Sequence, residues 1–101
     1  MDWLWTWGGV SFGYFDGDDL VTHDGRHVGR KNDDGEIYSP QGRYLGEVRN
    51  DNRLITNKAK KGWVGFAFAP FGRRGAYARY ANYAGYAMYA GFEDFPRSED
   101  L

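Results

Sequence analysis

A unit of about 17 residues recurs four times along this chain, with copies starting at residues 3, 19, 36 and 53. The copies open Trp3-Leu4-Trp5-Thr6, Asp19-Leu20-Val21-Thr22, Glu36-Ile37-Tyr38-Ser39 and Arg53-Leu54-Ile55-Thr56, and the last runs to about Pro70. A Gly-x-x-x-Gly step stands in register in three of them, Gly9 to Gly13, Gly25 to Gly29 and Gly42 to Gly46; the fourth keeps only its second glycine, as Gly65. A short unit at fixed period is one supersecondary element repeated, so the chain is expected to form a small symmetric array.

Within each copy the side chains alternate with period two, the signature of a half-buried strand. Leu4, Leu20, Ile37 and Leu54 hold one equivalent position, with Thr6, Thr22, Ser39 and Thr56 two residues on and therefore on the same face. Trp5, Val21, Tyr38 and Ile55 point the other way. A polar or glycine-bearing turn follows, then a second strand whose apolar residue, Phe12, Val28, Leu45 or Val64, always precedes a glycine. Each copy thus reads as a β-hairpin. The junctions Asp16-Gly17-Asp18, Asp33-Asp34-Gly35 and Asn50-Asp51-Asn52 carry residues that tolerate positive φ, as tight turns require. Eight short strands are expected between residues 3 and 70, with no helix in 3–56. Arranged around an axis, they would bring Leu4, Leu20, Ile37 and Leu54 into a central apolar ring, with the hydroxyls of Thr6, Thr22, Ser39 and Thr56 beside it. Closure into a barrel removes sheet edges that invite aggregation.

The opening Trp3-Leu4-Trp5 and the steps Asp24-Gly25-Arg26-His27-Val28-Gly29 and Gln41-Gly42-Arg43-Tyr44-Leu45-Gly46 resemble the four-fold β-flower proteins of bacteria over residues 1 to about 70. The resemblance implies a mostly β fold, a shallow barrel of four hairpins about a pseudo-fourfold axis. It implies no established activity, and in shape it is similar to the tubby-type barrels that bind phosphoinositide lipids. Fold alone does not confer that function.

Two domains of organisation are expected: residues 1–70 as the four-repeat β-flower, and 71–101 as a tripeptide segment with an acidic tail. Tyr77, Tyr80, Tyr83, Tyr86 and Tyr89 recur every third residue, each followed by alanine. On an α-helix a three-residue step drifts about 60° per tyrosine and the row spirals away. On a three-residue-per-turn polyproline-type helix the tyrosines line up. The alanine content and the absence of proline between Phe71 and Phe92 leave both conformations open.

Charge is sorted along the chain although the net charge is only −1. Residues 1–51 carry ten acids against five bases, whereas 52–92 carry seven bases (Arg53, Lys58, Lys60, Lys61, Arg73, Arg74 and Arg79) and no acid. Such sorting marks either a surface for an anionic partner or self-complementary packing between the two halves. The residues that would carry anion or lipid binding are Lys58, Lys60, Lys61, Arg73 and Arg74, with Tyr77, Tyr80, Tyr83, Tyr86 and Tyr89 as an aromatic ladder.

Catalysis finds no support in the sequence. His23 and His27 read as turn histidines, no Gly-x-Ser-x-Gly elbow accompanies them, and there is no cysteine to act as nucleophile or thiolate ligand. The acidic runs Asp16-Gly17-Asp18-Asp19 and Asp33-Asp34-Gly35-Glu36 lack EF-hand spacing and read as turn chemistry. No cofactor or metal is expected. Without a basic leader or a bilayer-length apolar run, the location is expected to be cytoplasmic. The sequence therefore points to a non-enzymatic binding module for an anionic ligand such as lipid, or to a protein-interaction or assembly module acting through the tyrosine row as a homo-oligomer; nucleic acid is not favoured, because no RNA-binding signature is present.

Overall fold

The computed structural model describes residues 2–101. Seven strands follow one another as antiparallel neighbours: β1 (Asp2–Thr6), β2 (Ser11–Asp16), β3 (Asp19–Thr22), β4 (His27–Lys31), β5 (Glu36–Tyr38), β6 (Tyr44–Arg49) and β7 (Arg53–Asn57). A parallel pairing of β1 with β7, Trp5 opposite Arg53 and Thr6 opposite Leu54, closes them into a barrel. An eighth strand, β8 (Phe92–Asp94), pairs with the last three residues of β7. β1 and β8 therefore share one edge of β7, the first at its beginning and the second at its end.

The first three copies of the repeat are built alike. In each, the backbone of Thr6, Thr22 or Ser39 bonds the turn glycine three residues on, Gly9, Gly25 or Gly42, at 2.8–2.9 Å. These glycines have φ of 92°, 87° and 87°, a left-handed conformation that L side chains resist. The Thr6, Thr22 and Ser39 hydroxyls are buried as well, and each accepts the N–H four residues ahead, from Val10, Arg26 or Arg43. These hydroxyls thus serve their own turns. In the second strand of each hairpin one residue bulges, Phe12, Val28 or Leu45, so that Trp5 faces Ser11, Val21 faces His27 and Tyr38 faces Tyr44. A bulge bends and twists its strand, which a barrel this small requires.

The fourth hairpin departs from the sequence expectation. Its second strand does not follow at Val64, which makes only an isolated bridge to Arg43 and is 79% exposed. Position three after Thr56 is Ala59, where the other copies have glycine, and no left-handed residue is there to turn the chain back. The chain instead enters a 3-10 turn, Lys58–Lys60, and returns only at β8. There Ile55 faces Asp94, so Phe95 falls where Phe12, Val28 and Leu45 fall in the other hairpins. The core forms around this arrangement: Leu4, Leu20, Ile37 and Leu54 are buried in one cluster with Phe12, Phe15, Val28 and Phe95. Phe95 meets Phe12 edge to face at 5.4 Å.

Between Gly65 and Gly91 the chain has no helix and no strand. The helical alternative for the tyrosine segment is thereby excluded. Beyond this stretch, Phe92–Asp94 pair with β7 and Phe95 joins the core cluster.

Candidate functional site: a strap across the hairpin tips

Residues 65–91 form a strap whose backbone is bonded to the tips of the three complete hairpins at a step of nine. Gly65, Arg74 and Tyr83 donate their N–H groups to the carbonyls of the turn glycines Gly42, Gly25 and Gly9, at 2.7–2.8 Å. Three residues further on in each case, Phe68, Tyr77 and Tyr86 donate to Pro40, His23 and Trp7, at 2.7–3.2 Å. The strap therefore meets the third, second and first tips in turn, nine residues per tip, in the opposite order to the chain. A contact period of three within this step is what a three-residue-per-turn extended chain provides and an α-helix does not. The turn glycines are needed twice over: a Cβ on Gly9 or Gly25 would lie 2.0 Å from the carbonyl oxygen of Tyr83 or Arg74.

The tyrosine row is explained by a second row on β1 and the turn residue that follows it. Trp3, Trp5 and Trp7 project to the face opposite Leu4, and the tyrosines lie against them. Trp3 meets Tyr77 and Tyr80 at 5.2 and 4.7 Å, Trp5 stacks on Tyr83 at 4.1 Å, and Trp7 lies between Tyr86 and Tyr89 at 4.9 and 5.2 Å. Every third backbone carbonyl is held too: Trp5 Nε1 donates to Ala81 O, an Arg53 guanidinium nitrogen to Ala84 O, and Trp7 Nε1 to Ala87 O, all at 2.9–3.0 Å. Arg53 is buried, with its guanidinium 4.4 Å from the Tyr86 ring centre. In the third tripeptide position, Gly85 lies so near Gly8 that a Cβ would be 2.9 Å from its carbonyl oxygen.

Most of the cations singled out from sequence are paired with acids. Lys60 lies 2.9 Å from Glu36 and 3.2 Å from Glu47, and these bonds raise its pKa and lower that of Glu36. Arg73 pairs with Asp24 at 2.9 Å, Arg74 with Asp16, and Lys61 with Glu93. Lys58 is exposed and has no ion pair among the described residues. Four of the five cations thus tie the basic half to acids elsewhere in the chain. Tyr77, Tyr80, Tyr83, Tyr86 and Tyr89 each keep 46–49% of their surface exposed, so one side of each ring faces solvent.

Asp24 sits where strap and tip meet. Burial alone would raise its pKa, but hydrogen bonds from Thr22, Arg26 and Arg73 outweigh it and hold the carboxyl at about 2, below the usual 3.8. A depressed carboxylate stabilises the contact above its free pKa and loses that effect as pH falls through the folded value. Attachment of Arg73 is therefore expected to weaken as pH falls from about 4 to about 2, and Asp24→Asn to abolish that dependence; guanidinium proton exchange at Arg73 measures both.

The most exposed large apolar side chains among the described residues lie where the chain enters the strap. Phe66 is 99% exposed, Val64 79% and Trp63 48%. Val64 lines two clefts, one of about 410 Å³ with Tyr38, Phe68, Arg30 and Lys31, the other of about 580 Å³ with Tyr44, Trp63 and Glu93. No group of three or more His, Cys, Asp or Glu side chains is arranged to hold a metal among the described residues.

Sequence reasoning missed Trp3, Trp7, Arg53 and His27 as partners of the strap. The signal for the first two was present: Trp-x-Trp-x-Trp repeats with period two, which sets the indoles to one side of an extended chain. No protein-family model, curated protein or solved structure matches this chain. Function therefore has to be argued from the surface itself.

Proposed function

We propose that this chain is a non-enzymatic protein-interaction module, whose barrel displays Trp63, Val64 and Phe66 between two clefts as its contact surface. The carrying observation is that Phe66 is 99% and Val64 79% exposed, whereas every other large apolar side chain among the described residues is at least about half covered. Contiguous exposed aromatic and aliphatic groups, rimmed by polar residues and adjoining concave surface, are the usual anatomy of a protein contact. The outer sides of the five tyrosines extend this surface along the strap. We also infer that the four hairpins are related by a pseudo-fourfold axis, as the β-flower resemblance implies; the common pairing of Trp5, Val21, Tyr38 and Ile55 supports it. An anionic-lipid reading has less support, because Lys60, Lys61, Arg73 and Arg74 already face carboxylates. No helix among the described residues is long and apolar enough to cross a membrane.

The partner class is tested first with a second copy. Sedimentation of the full chain over a concentration series is expected to show self-association that Val64→Lys with Phe66→Asp removes, while circular dichroism stays unchanged. A native chain that stays monomeric at every concentration, and whose binding of anionic vesicles is unaffected by the double substitution but abolished by salt, would replace this reading with the lipid one.

A further inference from the structure

His27 opens β4 and is only 6% exposed, which places it inside the barrel–strap contact and not on a turn surface. Its Nδ1 accepts the backbone N–H of Phe71 at 3.2 Å, and its ring lies flat on the Phe71 ring at 3.9 Å with an interplanar angle of 12°. Phe68 covers the same imidazole at 4.9 Å. Nε2 lies 3.0 Å from Asp19 Oδ1 on β3, off the hydrogen-bonding direction. A nitrogen that accepts an N–H carries no proton, so the bonded imidazole is neutral with its hydrogen on Nε2.

The charges around this ring come from every element packed on it. Asp19 is shared with Arg30, whose Nε is 3.1 Å from the same oxygen and whose guanidinium stacks on Phe68 at 4.4 Å. Arg74 stacks on Phe71 at 3.9 Å from the strap side, and Arg26 and Asp100 line a cleft with His27. Proton uptake at Nδ1 would set N–H against N–H and place a cation among Arg26, Arg30 and Arg74. Asp19, already engaged by Arg30, faces the other nitrogen, and Asp100 opposes the added charge from the cleft side. His23 is arranged in the opposite sense: its Nδ1 lies 3.3 Å from the Tyr77 carbonyl oxygen, an acceptor that a protonated ring satisfies.

We propose that His27 is a proton-operated latch on the strap: neutral, it holds Phe71 and Phe68 against the barrel, and protonated, it releases them while the Tyr77 contact at His23 persists. Because Phe68 also lines the cleft beside Val64, release would alter the contact surface proposed above; that consequence rests on the functional reading, but the latch itself does not. Burial, opposed in part by Asp19, keeps the pKa of His27 below its usual 6.5. The closed form is therefore favoured fully above the ordinary histidine pKa and loses ground as pH falls below it, by up to about tenfold per pH unit.

Amide hydrogen exchange on the full chain, corrected for intrinsic rates, tests the latch without any partner. Between about pH 7 and pH 5, protection of the Phe71 and Phe68 amides is expected to fall by about tenfold, while that of Tyr83 and Tyr86 changes little. His27→Gln, whose side-chain oxygen can still accept from Phe71, should flatten this dependence, and His23→Gln should leave it intact. Undiminished protection at pH 5 overturns the proposal, as does the same loss persisting in His27→Gln. Should His27→Gln fail to fold, the His27 ring carbon shifts in the native chain decide: titration of the ring with no accompanying change at Phe71 is equally fatal.

Discussion

Replacing Phe95 with alanine is expected to lower stability by about 3–5 kcal/mol, while Val64→Ala changes it by less than about 0.5 kcal/mol. Phe95 is 2% exposed, stacks edge to face on Phe12, and presses so closely on Gly46 that a Cβ there would lie 2.6 Å from its ring. Removing the ring leaves a cavity walled by Leu4, Leu20, Ile37 and Leu54, members of one rigid cluster that cannot collapse to fill it. Val64 has water on most of its surface and little packing to lose. Urea midpoints rank the two variants. Equal costs would mean that the fourth hairpin is completed at Val64, as the repeat register alone suggests, and not by the chain returning at β8.

Gly25→Ala is expected to destabilise by about 3 kcal/mol or more, well beyond Gly17→Ala at about 1–2 kcal/mol. Both positions have positive φ, 87° and 61°, so both variants carry the strain of a left-handed alanine. They differ in what the methyl meets. At Gly17 nothing lies within 4 Å, whereas at Gly25 the Arg74 carbonyl oxygen would be 2.0 Å away, and that oxygen belongs to backbone that is itself bonded to Gly25. The strap must lift at this tip, with loss of the Arg74 and Tyr77 bonds and of the Arg73–Asp24 pair. Thermal melts give the ranking, and the near-ultraviolet signal from the Trp3–Tyr77 contact reports the lifting. A Gly25→Ala protein as stable as Gly17→Ala would show that the strap does not rest on the tip.

The barrel was legible because its rules are local. Alternation placed Leu4, Leu20, Ile37 and Leu54 on one face, and the recurrent glycines marked turns whose geometry only glycine meets easily. The fourth hairpin was misread for the converse reason: the second strand was sought nearby at Val64, and nothing in the residues around Phe92 announces that they pair with β7 across more than thirty intervening positions. The strap was half legible. Its period of three was plain in the tyrosines, but the step of nine appears only once Gly42, Gly25 and Gly9 are seen as seats, since Gly65, Arg74 and Tyr83 have no side-chain feature in common. The sorting of charge had two readings, and pairs such as Lys60 with Glu36 and Arg73 with Asp24 show that packing between the halves uses most of those cations.

The shared edge of β7 also imposes an order of events on the growing chain. β1 needs only the first half of β7, so the seven-stranded ring can close as soon as residue 57 or so is available. The remaining edge, Ile55 to Asn57, then waits for Phe92–Asp94, and Phe95 cannot plug the core until a loop of more than thirty residues has been spanned. Hairpin contacts form cheaply because they join near neighbours, whereas this late closure pays the entropy of a long loop before it gains any contact. During synthesis the nascent barrel can therefore close as a ring before Phe92–Asp94 and Phe95 emerge, and those residues act afterwards as its stopper.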